Sequence, residues 1–124
     1  MENPDFSDGL AGWTVGESGG GGTPGTVAVI EGKAQLLEGD SFLVMLQQTF
    51  TVPQNPGVLS FTKGQNPGFD QSVNFIPDAF EVSLLSSTSF TLVKSWKPAA
   101  TSFFNLQENG TTHLGSHTSF DGTR

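Results

Sequence analysis

The sequence predicts an all-β protein, a jelly-roll-like sandwich of two antiparallel sheets in one domain spanning residues 1–124. Short runs rich in β-branched and aromatic residues recur about every ten residues and are bounded by Gly, Pro and Asn, which is typical of sandwiches and barrels. No segment keeps an apolar period of 3.6 residues, and the chain has 16 Gly and 7 Pro, so long helices are not expected. A chain of this length buries enough surface for one core without disulfides.

The N-terminal strands are predicted from runs of β-forming residues between turns. Residues 13–15 are a short β-like run, and residues 16–25, which include four consecutive glycines, indicate a flexible surface loop. Residues 26–30 and 34–37 flank the sequence Glu-Gly-Lys. This arrangement predicts a hairpin with Gly32 at a position that needs a positive φ.

The middle of the chain predicts two further strands. Residues 42–52 begin with an apolar run and then alternate, so they suit a long strand, which Pro53 ends because proline cannot donate to a sheet ladder. Residues 58–62 alternate as a half-buried strand. The sequence Gln-Asn-Pro-Gly occurs on both sides of this strand, at residues 54–57 and 65–68, and predicts a turn at each end of it.

Three more β-like runs follow before a polar C-terminal tail, namely residues 79–85, 90–93 and 103–106. The order of hairpin, long strand, turn, strand and long loop favours a jelly roll over an immunoglobulin sandwich. The Cys and Trp landmarks of immunoglobulin domains are missing, since the chain has no Cys.

Charge and hydropathy argue against several classes of function. The net charge is −7, and the five Lys and Arg residues are scattered, whereas a nucleic-acid groove or an anionic membrane surface calls for clustered bases. The longest apolar run has five residues, far from the roughly 20 that span a bilayer, and no leader sequence is visible at the start of the chain. Without Cys there is no thiolate metal site and no cysteine nucleophile.

Several segments resemble a known family. Residues 3–6 (NPDF) and 9–15 (GLAGWTV) resemble the opening of bacterial secreted carbohydrate-binding-module-like jelly rolls, which are galactose-binding-like domains. The segments 41–52 (SFLVMLQQTFTV), 59–61 (LSF) and 78–85 (DAFEVSLL) are also similar to this group. The resemblance implies a non-catalytic, extracellular or cell-surface module that binds a glycan.

The resemblance also implies one or two further apolar strands after residues 120–123, whereas the chain ends at Arg124. A sandwich without its last strand exposes strand edges and apolar side chains that favour pairing with another chain. We therefore expect a homodimer or strand exchange. The alternative is a sandwich that closes with fewer strands. Association of this kind leads to a second functional hypothesis, a structural domain that assembles through its strand edges without a small-molecule ligand.

The resemblance further implies a Ca²⁺ site, because similar domains tie their N-terminal segment to the last strand through carboxylates. The matching positions are Asp5, Asp78 or Glu81, and Asp121. Position 7 is serine, where the family pattern usually has glutamate, and there is no Asp-x-Asp-x-Asp-Gly loop. The alternative is that these carboxylates cap turns or lie in solvent.

Trp96 is the best candidate for a residue that stacks on a sugar, with Lys94 and Lys97 beside it as hydrogen-bond donors. The alternative is a tryptophan that packs beneath a loop or in a chain contact, and the excess of Phe over Tyr favours buried aromatics in general. Trp13 is expected in the core. His113 and His117 are expected in exposed loops.

No motif marks an enzyme. The sequence lacks a Gly-x-Ser-x-Gly elbow, and its four-glycine run is not followed by the Lys and Ser/Thr of a phosphate-binding loop. No pair of carboxylates stands out as a glycosidase pair. We therefore expect a binding or structural protein rather than a catalyst.

Overall fold

In a computed structural model, which describes residues 1–64 and 78–123, every regular element is a strand and all pairings are antiparallel. The strands are β1 (Thr14–Ser18), β2 (Thr26–Ile30), β3 (Lys33–Leu37), β4 (Leu43–Gln47), β5 (Ala79–Ser83), β6 (Ser102–Gln107) and β7 (Thr112–Leu114). The predicted all-β class is confirmed, while a sandwich of two sheets stays a prediction. The described residues contain no helix long and apolar enough to cross a bilayer.

The chain divides into two compact units, Met1–Gly57 and Val58–Arg124. The first unit contains two sheets of two strands each, β1 with β4 and β2 with β3. The second contains a sheet of three strands in the order β5-β6-β7. The prediction of one domain stays a prediction.

The predicted hairpin is confirmed in the first unit. Ile30 pairs with Lys33, so the loop contains only Glu31 and Gly32, whose φ angles are 51° and 69°. Two consecutive residues with positive φ make a type I′ turn, whose twist matches that of antiparallel strands. Half-buried and exposed residues alternate along β2, β3 and β4, as expected for strands with one face turned to a core.

The N-terminal segment is held to the end of β4 by one amide side chain. Gln48 Oε1 accepts a hydrogen bond from the Glu2 N–H at 2.9 Å, and Gln48 Nε2 donates to the carbonyl oxygens of Glu2 and Gly12 at 2.7 and 2.9 Å. Trp13 is half-buried, donates from Nε1 to the Asn3 carbonyl at 3.0 Å and packs 5.2 Å from Phe6.

The core of the second unit is built around β6, in which Phe103, Phe104 and Leu106 are buried. Phe104 is 1% exposed and has edge-to-face contacts with Phe61, Phe80 and Phe120 at centroid distances of 5.6, 6.2 and 5.1 Å. Edge-to-face rings stabilise a pair by about 0.5–1.5 kcal/mol beyond the burial of their area. The polar residues of β5 and β6 are left to the face opposite Phe104.

Several predicted strands differ from the structure. The strand predicted at 42–52 ends at Gln47, where Gln48 turns to bind the N-terminal backbone instead. The strands predicted at 58–62 and 90–93 do not form, apart from an isolated bridge between Leu85 and Thr91. The second Gln-Asn-Pro-Gly turn, at 65–68, lies outside the described residues.

Candidate functional site

A polar row crosses one face of the three-stranded sheet. Glu81 on β5 pairs with Asn105 on β6, and Asn105 pairs with His113 on β7. Side chains directly opposite in register share a face, and successive residues alternate between faces, so this row lies opposite the apolar face that carries Phe104 and Leu106. A register shift between Val82 and Ser83 breaks this alternation and brings Ser102 to the face of Glu81.

A chain of hydrogen bonds fixes the carboxylate of this row. Ser102 Oγ donates to Glu81 Oε1 at 2.9 Å, and Asn105 Nδ2 donates to the same oxygen at 2.7 Å. The indole Nε1 of Trp96 donates to Ser102 Oγ at 3.2 Å. Ser102 and Asn105 are 1% and 4% exposed, so these two side chains are shielded from water, and the orientation of the indole is fixed from beneath.

Trp96 is also held by its ring and by its backbone. Its ring stacks on the imidazole of His113 with a centroid separation of 4.4 Å and an angle of 16°, and Lys97 Nζ lies 4.4 Å from the indole centroid. The Trp96 N–H donates to the Ser102 carbonyl at 3.2 Å. We name Trp96, Lys94, Lys97 and His113 the Trp96 surface.

Glycine at position 115 allows residues 94–96 to run beside the sheet. The Gly115 N–H donates to the Phe103 carbonyl at 2.7 Å. A Cβ at Gly115 would collide with the carbonyl oxygen of Lys94 and would lie 3.2 Å from the Cα of Phe103. The absence of a side chain therefore lets the backbone that carries the Trp96 surface approach β6 and β7.

One acceptor beneath the polar face is unsatisfied. Asn105 Oδ1 is buried and accepts no hydrogen bond from the residues that the structure describes. A buried polar atom without a partner costs about 1–3 kcal/mol. The site therefore contains an acceptor, Asn105 Oδ1, that could accept a further hydrogen bond, on the residue that pairs with His113.

The structure brings together some of the residues predicted to bind a ligand. Lys97 contacts the ring of Trp96, and the side chain of Lys94 is exposed in the same segment. The sequence analysis missed Ser102, Asn105 and His113 as members of the site. The expectation of an exposed loop is wrong for His113, which is half-buried in β7.

The carboxylates predicted to bind calcium lie in both units. Asp5 belongs to the first unit, and its Oδ1 accepts hydrogen bonds from Ser7 Oγ at 2.8 Å and from the Ser7 N–H at 3.2 Å. These bonds, led by the one from the side chain, lower the pKa of the Asp5 carboxyl below its ordinary value.

Asp78, Glu81 and Asp121 belong to the second unit. Asp121 Oδ1 accepts from the Thr123 N–H at 2.8 Å, which closes a turn, and Glu81 is bound within the polar row. Across residues 1–64 and 78–123, no three His, Asp or Glu side chains are grouped closely enough to hold a metal ion. The calcium site stays a prediction.

The glycine-rich loop of the first unit borders a second polar site, a cleft of about 190 Å³ lined by Glu17, Asp40 and Ser41 beside residues 19–24. Asp40 Oδ2 accepts from the Thr23 N–H at 2.6 Å, and Ser41 Oγ donates to Glu17 Oε1. Both carboxylates are thus engaged in holding the loop against the start of β4.

Comparisons of the chain with protein-family models, curated proteins and solved structures found no match. The resemblance to carbohydrate-binding jelly rolls therefore rests on the sequence motifs alone.

Proposed function

We propose that the protein is a non-catalytic carbohydrate-binding module and that it binds its glycan at the Trp96 surface. The observation that carries the proposal is the fixed indole, which is stacked on His113 and bonded through Nε1 to a buried serine. Sugar sites place an apolar ring face on an aromatic side chain and fix the hydroxyls with a few polar groups. An indole that is already ordered loses little conformational entropy on binding.

The polar groups that a sugar needs lie around this ring. Lys97 places an ammonium with three donors 4.4 Å from the ring centre, and Lys94 lies in the same exposed segment. The imidazole of His113 contributes a donor and an acceptor. Ser102 and Glu81 are bonded to each other, so their role in the proposal is to orient the indole rather than to attack a substrate.

Glycan binding is tested by fluorescence in a Trp13→Phe variant, where Trp96 is the remaining tryptophan. Titration with a panel of neutral and acidic oligosaccharides should shift the emission saturably for at least one of them. The matched controls are the wild-type chain and a Trp96→Phe variant that retains Trp13, because changes at position 13 should leave affinity unchanged whereas Trp96→Phe should lower it. If calorimetry detects no binding to any member of the panel, the proposal is wrong.

The proposal includes location and cofactor. A glycan-binding module acts outside the cell or at its surface, and we propose that location. We also propose Ca²⁺ as a stabilising ligand of carboxylates among Asp5, Asp78, Glu81 and Asp121, the positions matched in the resemblance. Thermal unfolding in CaCl₂ and in EDTA tests the calcium proposal, since a bound ion raises the midpoint temperature of unfolding. An equal midpoint temperature in both buffers overturns the calcium proposal.

A second candidate function is self-assembly, and large exposed apolar side chains favour it. Phe42, beside β4, is 84% exposed, and Phe90 in the second unit is 73% exposed. In addition, each strand of a two-stranded sheet has one edge that the sheet itself does not pair. A second copy of the chain would cover such side chains and edges. Light scattering with size exclusion, with and without EDTA, should then give the mass of a dimer, whereas a monomer at micromolar concentration rejects this candidate.

A further inference from the structure

We infer that the ligand of the Trp96 surface is an acidic glycan, one whose sugars carry carboxylate or sulfate groups. This inference rests on the proposed function and names its substrate class. It is argued from the distribution of charge around the indole.

Two of the few cationic side chains of this acidic chain lie at this surface. The net charge is −7 with only five Lys and Arg residues, yet two of the lysines flank Trp96 within residues 94–97. The ammonium of Lys97 contacts the indole, and the ring of His113 stacks on it. An anion approaching a negatively charged protein would therefore meet locally favourable charge at this indole.

The acidic groups of the same sheet lie elsewhere or are engaged. The pairing of β5 with β6 runs from Ala79 and Gln107 at one end to Ser83 and Ser102 at the other. At the first end, the Glu108 N–H donates to the Asp78 carbonyl and the Asp78 N–H donates to Glu108 Oε2, whereas Trp96 is bonded to Ser102 at the second end. Four residues of strand span roughly 13 Å.

Glu81 is the nearest carboxylate to the indole in the hydrogen-bond network. Its Oε1 accepts from Ser102 and from Asn105, so this oxygen is already compensated by two donors. The negative charge of Glu81 is therefore partly compensated by donors of the sheet, whereas the side chains of Lys94 and Lys97 are exposed.

The position of Lys97 suits the exocyclic group of an acidic sugar. A cation within about 6 Å of an indole centroid is attracted to the ring face. His113 covers one face of the indole and the Lys97 ammonium lies over the ring, so a pyranose stacks on the indole when the exposed Lys97 side chain swings aside to the edge of the sugar. A carboxylate or sulfate at that edge is then within reach of the ammonium. A charge-assisted hydrogen bond formed there adds to the affinity, and a neutral sugar gains no such contribution.

Matched pairs of oligosaccharides separate this inference from the proposed function. The first pair is trigalacturonate and its full methyl ester, and the second is a sulfated galactan tetrasaccharide and its desulfated form. We expect calorimetry to give at least tenfold tighter binding for the acidic member of one pair, and that preference should weaken as NaCl is raised from about 50 to 500 mM.

Charge variants locate the effect. Lys97→Gln and Lys94→Gln should each lower the preference for the acidic member over the neutral member about two- to fivefold, because glutamine keeps a hydrogen-bond donor but removes the charge of one exposed ion pair. Lys33→Gln, a lysine of β3 in the other unit, is the control and should leave this preference unchanged.

The outcomes are distinct. Equal or tighter binding of the neutral members overturns the acidic class while leaving carbohydrate binding intact. A preference for acid that survives both lysine substitutions places the anion outside the Trp96 surface and also overturns the inference. If no member of either pair and no other glycan binds, the proposed function is wrong and the inference fails with it.

Discussion

Removing the hydroxyl of Ser102 should loosen Trp96 and destabilise the second unit. Ser102→Ala deletes the bond to Glu81 Oε1, at 2.9 Å, and leaves the Trp96 Nε1 without the acceptor that it has at 3.2 Å. A hydrogen bond to a charged group contributes about 1.5–3 kcal/mol, and the lower end applies here because Glu81 is exposed. The indole N–H that loses its acceptor adds about 0.5 kcal/mol, so the expected loss in the free energy of unfolding is about 2 kcal/mol.

Urea unfolding of the full chain measures this loss through Trp96 fluorescence, again in the Trp13→Phe background. For a slope of about 1–3 kcal/mol per molar urea, the midpoint should fall by about 1 M with little change in slope. Ser119→Ala, which truncates an exposed serine of the same unit, should stay within about 0.5 kcal/mol of the parent.

A double-mutant cycle with Glu81→Gln measures the part of this interaction that depends on charge, because glutamine keeps an oxygen that accepts from Ser102 Oγ. The coupling of Ser102 to Glu81 should be about 1 kcal/mol, since the two side chains share one bond at a buried serine. A Ser102→Ala variant as stable as Ser119→Ala, with an unchanged chemical shift for the Trp96 indole proton, would refute the hydrogen-bond chain as the reason for the fixed indole.

Three further predictions concern the core, the hairpin and the N-terminal turn. Phe104→Ala should lower the free energy of unfolding by about 3–5 kcal/mol in urea melts, because it empties a site that is 1% exposed and enclosed by aromatic rings. Gly32→Ala should cost about 1–2 kcal/mol in the same assay, because φ at this position is 69°. Ser7→Ala should raise the pKa of the Asp5 carboxyl towards its ordinary value in an NMR titration, because the main hydrogen bond that lowers it is removed. In the parent, that bond stabilises the fold above the ordinary pKa, and the contribution is lost as pH falls through the lowered pKa.

Each of these predictions has a control. Phe90→Ala truncates a phenylalanine that is 73% exposed, and a loss as large as that of Phe104→Ala would show that ring size rather than burial decides the cost. Gly57→Ala replaces a glycine with open space around it, so a cost equal to that of Gly32→Ala would contradict the turn argument. The control for Ser7→Ala is Ser18→Ala. Ser18 lies on β1, away from Asp5 in sequence, so its replacement should leave the Asp5 titration unchanged.

Local signals in the sequence predicted the fold class and the hairpin. The turn at Glu31 and Gly32 depends on residues that are adjacent in the chain, and so does the pairing of the strands that flank it. The strand at 103–106 was also predicted, and it forms β6 with one further residue at each end. By contrast, β7 is polar and only three residues long, so neither periodicity nor β-propensity marks it.

The candidate site was predictable only in part. Trp96 and Lys97 are neighbours in sequence, and their contact follows from that proximity. The row of Glu81, Asn105 and His113 depends on the register of three strands, and Glu81 and Asn105 are 24 residues apart. No local pattern specifies such a register. The Gly, Ser and Thr residues around His113 favour a loop in the sequence, whereas its place in β7 and its stack on Trp96 depend on that register.

The most direct test of the central claim is a ¹⁵N NMR titration of the full chain with the oligosaccharide that binds best in calorimetry. The account predicts saturable shifts of the Trp96 indole N–H and of the amides of Lys97 and His113, while the Trp13 indole N–H stays in place. Shifts confined to the first unit, or a panel in which no oligosaccharide binds, would contradict the assignment of glycan binding to the Trp96 surface.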